Sequence, residues 1–127
     1  MQQKMITINQ ELYSSKNSRQ FVRLKTGRTV LIKSHRAQEQ EATLDEALKQ
    51  NLSVWKDMIK DKPFPLEVHF SIKRATRRRW DWANILQGLA DAMVKAGYIP
   101  DDDAAHFKPV YEDWSVDKEN PSVSFWV

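Results

Sequence analysis

Residues 66–73, LEVHFSIK, alternate Leu66, Val68, Phe70 and Ile72 with polar side chains. In an extended chain successive side chains point to opposite faces, so a period of two predicts a strand with one buried and one wet face. Such a strand needs a second layer over its apolar row. That layer is legible downstream. Asp81 suits a helix N-cap, because its carboxylate accepts free backbone N–H groups and favours the positive end of the helix dipole. Gly97 suits the C-terminal cap. Between them Ile85, Leu89, Met93 and Ala96, with Ala92 beside them, recur at about 100° per residue and make one apolar face.

The remaining elements follow from the same rules. Residues 5–9 predict a short strand. Residues 21–24 and 29–32 flank Lys25-Thr26-Gly27-Arg28, where a glycine between β-prone runs predicts a hairpin. From Ser34, a suitable N-cap, residues 34–59 are rich in Ala, Glu, Gln, Lys and Leu and predict one helix, ended by the prolines of residues 62–65. Residues 108–114 and 122–127 predict two further strands. The expected order β, β, β, α, β, α, β, β is that of an α+β domain, a mixed β-sheet packed against two main helices. At 127 residues, with no repeat or linker-like tract, the chain is expected to form one domain.

The function classes narrow by exclusion. The sequence has no Cys, hence no disulfide framework or thiolate metal site. The segment MQQKMITINQ is too polar for a signal peptide, and no apolar run approaches the roughly 20 residues that span a membrane, so a cytoplasmic protein with no membrane partner is expected. There is no GxxxxGK[ST] or GxGxxG, and so no sign of a nucleotide cofactor. His35, His69 and His106 lack zinc spacing, and Ser14, Ser15 and Ser18 lack a nucleophile context.

Charge distribution says more than the net +3. Lys73, Arg74, Arg77, Arg78 and Arg79 fall within seven residues, whereas acidic residues gather after Pro100. A basic run is either a solvated face or a phosphate-binding surface. On the new helix, Asn84, Gln87, Asp91 and Lys95 form a polar stripe with Gly88 alongside. Asp91 and Lys95 read as an i,i+4 surface pair, while Asn84 and Gln87 lie nearer Asp81 and can instead face a site. Asp101, Asp102 and Asp103 are either turn residues after a proline or a carboxylate group that a divalent cation holds together. If the chain folds back toward the helix start, Asp81 and one of these aspartates can share an ion beside the arginines. Trp80 and Trp82 bracket Asp81; both can pack, or one can pack while the other lies against DNA. Trp55, Trp114 and Trp126 read as core or interface residues.

Together these residues resemble the RusA family of Holliday junction resolvases, small dimeric endonucleases often carried by phages and prophages. The family pattern is a basic run, then Asp-x-Asp-Asn opening a helix, a Lys three residues later, a helical Asp, a Gly and an Asp-Asp pair. Here Arg77-Arg78-Arg79 match the basic run, and Asp81, Asn84, Asp91, Gly97 and Asp101-Asp102 match in order without a gap. Residues 12–34, LYSSKNSRQFVRLKTGRTVLIKS, resemble the family's early Ser-Lys-Asn-Ser segment and hairpin. The resemblance implies a RusA-like fold and a homodimer that cuts four-way DNA junctions, in recombination and repair, with Mg²⁺ or Mn²⁺. It implies Asp81, Asp101 and Asp102 as catalytic residues, with Asp81 and Asp102 as the main metal ligands; Asp103, outside the family pattern, is the further metal ligand expected to make up for the missing motif aspartate. DNA contacts are expected at Lys73, Arg74, Arg77, Arg78, Arg79, Lys16, Asn17 and Arg19, with Asn84, Gln87 and Asp91 in support. Two positions depart from the pattern: Ala83 replaces the second motif aspartate and Gln87 the lysine. A branched-DNA binder that does not cut, and an α+β interaction domain with decorative charge, are the competing expectations.

Overall fold

The computed structural model describes residues 4–12, 19–33 and 35–127; Lys16, Asn17 and the N-cap expected at Ser34 lie outside them. The elements are β1 (Ile6–Ile8), β2 (Arg19–Arg23), β3 (Thr29–Lys33), α1 (His35–Gln50), α2 (Leu52–Ile59), β4 (Leu66–Arg74), α3 (Trp82–Lys95), β5 (Phe107–Val116) and β6 (Ser122–Trp126). Four strands form a mixed sheet in the order β1-β6-β4-β5, and β2 and β3 form a separate antiparallel pair. β4 runs parallel to β5 and antiparallel to β6. This is the α+β class expected, with three helices in place of two.

The extra helix comes from a break at Asn51. Its backbone sits at φ −101°, ψ 4°, and its side-chain Nδ2 donates to the Ala47 carbonyl at 2.9 Å. Asparagine competes in this way for carbonyls that a continuing helix would use. The break turns α2 so that the wholly buried Trp55 donates its indole N–H to the Tyr98 carbonyl at 2.8 Å. Propensity alone favours one helix there, and a buried tertiary hydrogen bond overrides it.

The core lies on one face of the sheet. Leu66, Val68, Phe70 and Ile72 of β4, Val123 and Phe125 of β6, and Ile6 and Ile8 of β1 meet Ile85, Leu86, Leu89, Ala90 and Met93 of α3. Leu44 and Leu48 of α1, Trp55 of α2 and Phe107 of β5 also belong to it. Leu86 and Ala90 broaden the helical face expected from Ile85, Leu89, Met93 and Ala96, because a helix pressed on a sheet buries more than a single seam. Asp81 caps α3 by accepting from the Ala83 N–H at 2.9 Å, and Gly97 takes φ 88° after its end, both as the sequence predicts.

Parallel strands cannot be joined by a tight turn, and α3 supplies the crossover from β4 to β5. It leaves the end of β4 near Arg74 and returns to the start of β5, where the Leu66 N–H donates to the His106 carbonyl at 3.0 Å. The two ends of α3 therefore lie at opposite ends of the strands, which decides where the charges of the sequence end up.

Tyr98 closes the core beneath this crossover. It is 2% exposed, stacks on Trp55 with ring centroids 5.1 Å apart and donates its hydroxyl to the Leu48 carbonyl at 2.6 Å. Burial pushes its pKa up to about 12. A raised folded pKa means that folding favours the protonated phenol, so this contribution is intact below the ordinary value of 10.0 and is lost as pH rises toward about 12. Tyr98→Phe is expected to cost about 1 kcal/mol, the usual net worth of one hydrogen bond. Thermal melts of the variant should fall by a few degrees at neutral pH, and the gap should narrow above pH 10; an unchanged melt would show that the bond contributes nothing.

Candidate nucleic-acid interface

The basic run divides when it folds. Arg77, Arg78 and Arg79 occupy the connection between β4 and α3 and are exposed, as is Lys73. Arg74, expected among the DNA contacts, turns inward instead and is 8% exposed. Position decides this. Lys73 and Arg74 are neighbours on a strand, so their side chains leave opposite faces, and Arg74 shares the core face with Ile72. Its Nη1 donates to the Leu12 carbonyl at 2.6 Å and stands 3.4 Å from the Glu11 carboxylate, whose other oxygen accepts from the Ala75 N–H at 2.7 Å. The guanidinium also lies 5.3 Å from the centre of the Trp80 ring. Arg74 therefore anchors the start of the arginine loop and one of its tryptophans.

That tryptophan begins an aromatic row. Trp80 lies 4.9 Å from Trp82 and 5.4 Å from Trp114, and Trp82 stacks on Tyr111 at 4.9 Å with the planes only 10° apart. Neither Trp80 nor Trp82 stands apart for a base alone; they contact each other. Tyr111 and Trp114 are 46% and 44% exposed, which is unusual for side chains of their size. Sequence reading missed the pairing of Tyr111 with this row. Residues three apart on a regular strand face opposite sides, but the register slips between Phe70 and Ser71, so Tyr111 lies opposite Phe70 and Trp114 opposite Ile72. The bulge brings both rings to the helix side of the sheet. The only hint in the sequence is the run of aromatic and acidic residues in YEDW.

Asp81 stands at the start of α3 beside the arginines, exposed, with one oxygen engaged in the cap. Asn84 is half-buried one turn along, while Gln87 and Asp91 are exposed farther down the helix. Asp101, Asp102 and Asp103 follow its other end. The fourteen residues of α3 separate them from Asp81 by about 20 Å. The fold-back that would let one chain join these carboxylates is not made. Local bonds account for two of the three: Asp101 accepts from the Asp102 N–H at 2.8 Å, and Asp103 pairs with His106 at 2.5 Å. The carboxylate of Asp102 is exposed. Among the described residues no group of three His, Asp or Glu side chains is arranged to hold a metal ion. Within one chain the donor set does not fit a shared cation.

The opposite face of the sheet carries a second polar group. His69 stacks on Trp126 at 5.7 Å and pairs with Glu112, and the Ser71 hydroxyl donates to Asp113. These bonds are satisfied across neighbouring strands and account for the residues as sheet-stabilising pairs. No helix among the described residues is long and apolar enough to cross a membrane. Compared with protein-family models and with curated proteins, the sequence matches none.

Proposed function

We propose that the protein is a RusA-like endonuclease that binds four-way DNA junctions and cuts them as a homodimer with Mg²⁺ or Mn²⁺. The observation that carries the reading is the surface at the start of α3, where the exposed Arg77, Arg78 and Arg79 run directly into Trp80 and its row of Trp82, Tyr111 and Trp114. Guanidinium groups neutralise phosphates, and exposed rings stack on bases that have lost their neighbours, as at a branch point. Asp81, exposed at the N-cap of α3, follows Trp80 directly and supplies a carboxylate beside this surface.

The carboxylates at the far end of α3 enter through the second chain. A two-fold axis that sets the two α3 helices side by side and antiparallel brings Asp81 of one protomer to Asp102 of its partner, and repeats the site on the other side. A hard divalent cation held there would supply an activated water for phosphodiester hydrolysis. Asp101 and Asp103 support Asp102 by fixing the turn that presents it, and Asn84 lies on the helix face nearest the site. Ala83 and Gln87 stand where the family pattern has Asp and Lys, which favours a second reading, a protein that binds branched DNA without cutting it.

A cleavage assay on a synthetic four-way junction, with Mg²⁺, Mn²⁺ or chelator, separates the two when run beside a gel shift of the same substrate. Metal-dependent cutting supports the first reading. A shift without cutting supports the second, and the absence of both, or an uncut junction that shifts no more than a linear duplex, removes both.

A further inference from the structure

We propose that the β2–β3 hairpin is a second DNA contact, a basic ribbon that enters the major groove of a duplex arm. Its placement on an arm leading to a branch point rests on the function proposed above; its preference for duplex DNA does not.

The charge pattern is the first support. Residues 12–38 hold seven Lys and Arg and no Asp or Glu, although the whole chain carries a net charge of only +3. Five of the seven fall on the hairpin: Arg19, Arg23, Lys25, Arg28 and Lys33. A charge run on a packed element is commonly a solvated face that its neighbours balance. Here the strands have no acidic residue of their own to balance it.

The second support is the way the hairpin stands in the fold. Among the described residues β2 and β3 pair only with each other, in full register from Arg19 opposite Lys33 to Arg23 opposite Thr29, and join no other sheet. The turn is tight. The Gly27 N–H donates to the Leu24 carbonyl at 2.9 Å, the Leu24 N–H donates to the Arg28 carbonyl at 2.7 Å, and Gly27 takes φ 85°, where a side chain would be strained. This geometry puts Arg23, Lys25 and Arg28 around the tip, all exposed.

Shape selects the partner. A two-stranded ribbon has its strands about 4.8 Å apart and fits a B-DNA major groove about 12 Å wide. The same ribbon does not fit the deep, narrow major groove of duplex RNA. A tip of three cations with Leu24, Thr26 and Gly27 between them offers phosphate contacts on both walls of such a groove.

The test uses the full chain and measures binding to an unbranched DNA duplex by fluorescence anisotropy across a salt series. It compares wild type with Arg23→Gln/Lys25→Gln/Arg28→Gln and with Lys56→Gln/Lys60→Gln/Lys62→Gln, which removes the same charge from exposed positions elsewhere. Each lost phosphate contact lowers the slope of log affinity against log salt by about 0.9. The ribbon variant should therefore lose roughly 2–3 from that slope and at least about tenfold in affinity at moderate salt, with the control close to wild type. Methylation of guanine N7, which lies in the major groove, should interfere with binding by wild type and not by the ribbon variant. Circular dichroism melts identify a ribbon variant that has unfolded, in which case Lys25→Gln/Arg28→Gln at the turn replaces it. The inference is overturned if ribbon and control variants behave alike, if an RNA duplex binds as well as DNA, or if the ribbon-dependent partner is instead a phosphatidylserine vesicle. A junction that is cut by a chain whose ribbon variant binds normally removes the ribbon alone. Ribbon-dependent duplex binding by a chain that neither prefers nor cuts junctions removes the endonuclease reading alone.

Discussion

An equal mixture of Asp81→Asn and Asp102→Asn chains is expected to nick a four-way junction that neither variant cuts alone. In each homodimer of a single variant both sites lack one carboxylate, and a neutral amide is a poorer ligand for a hard cation. Loss of even an outer-shell partner of a metal costs about 10–100-fold, so each variant should fall by more than about 100-fold. In a mixed dimer the two substitutions gather in one site. The other site combines Asp81 of one chain with Asp102 of the other and is intact. Random reassociation makes half the dimers mixed, so about a quarter of the wild-type sites return. Those dimers hold one working site and should leave nicks in place of paired cuts. DNA binding without metal should survive in both variants, since each has shed a negative charge from a surface that meets phosphates. If verified mixed dimers are as inactive as the parents, the shared-site arrangement is wrong. If either single variant cuts normally, its aspartate is not a ligand.

The second large effect concerns Arg74, whose side chain is 10% exposed and whose partner Glu11 is 11% exposed. Arg74→Ala should destabilise the fold by about 3 kcal/mol, the lower end of the cost of removing one partner of a buried pair, because Glu11 keeps its charge with nothing to balance it. At this chain length that corresponds to a fall in melting temperature of roughly 10 °C. Glu11→Gln added to Arg74→Ala removes the orphaned charge while the amide oxygen can still accept from the Ala75 N–H, so the double variant should recover part of the loss. Junction affinity should fall with the single change even below its melting temperature, because Trp80 loses the guanidinium packed on it and the arginine loop loses its anchor. A melt within a degree or two of wild type would show that the Arg74–Glu11 contact is structurally idle.

The two results would separate what the residues near Asp81 do. The mixing experiment asks whether the aspartates make a site. The Arg74 variant asks whether the surface beside it depends on an internal strut. A protein that binds junctions without cutting would fail the first and pass the second.

Features that depend on a few neighbouring residues are legible in the sequence. Asp81 and Gly97 bound α3 because a cap is a bond between a side chain and backbone two residues away, and a positive φ needs no distant partner. The alternation of residues 66–73 fixed which face of β4 is buried, and Gly27 fixed the hairpin turn. Features that depend on remote pairing emerge with the assembled fold. Asn51 breaks the first helix because Trp55 must reach Tyr98, 43 residues away. Arg74 lies inward because Leu12 and Glu11, more than 60 residues away, receive it. The bulge opposite Phe70 brings Tyr111 and Trp114 to one side. The parallel course of β4 and β5 holds Asp81 apart from Asp101, Asp102 and Asp103, although only 19 residues separate the first two in sequence. Caps, turns and side-chain periods are set by bonds that close within one turn, whereas strand order and register are chosen by burying the whole core at once, and no local window contains that information.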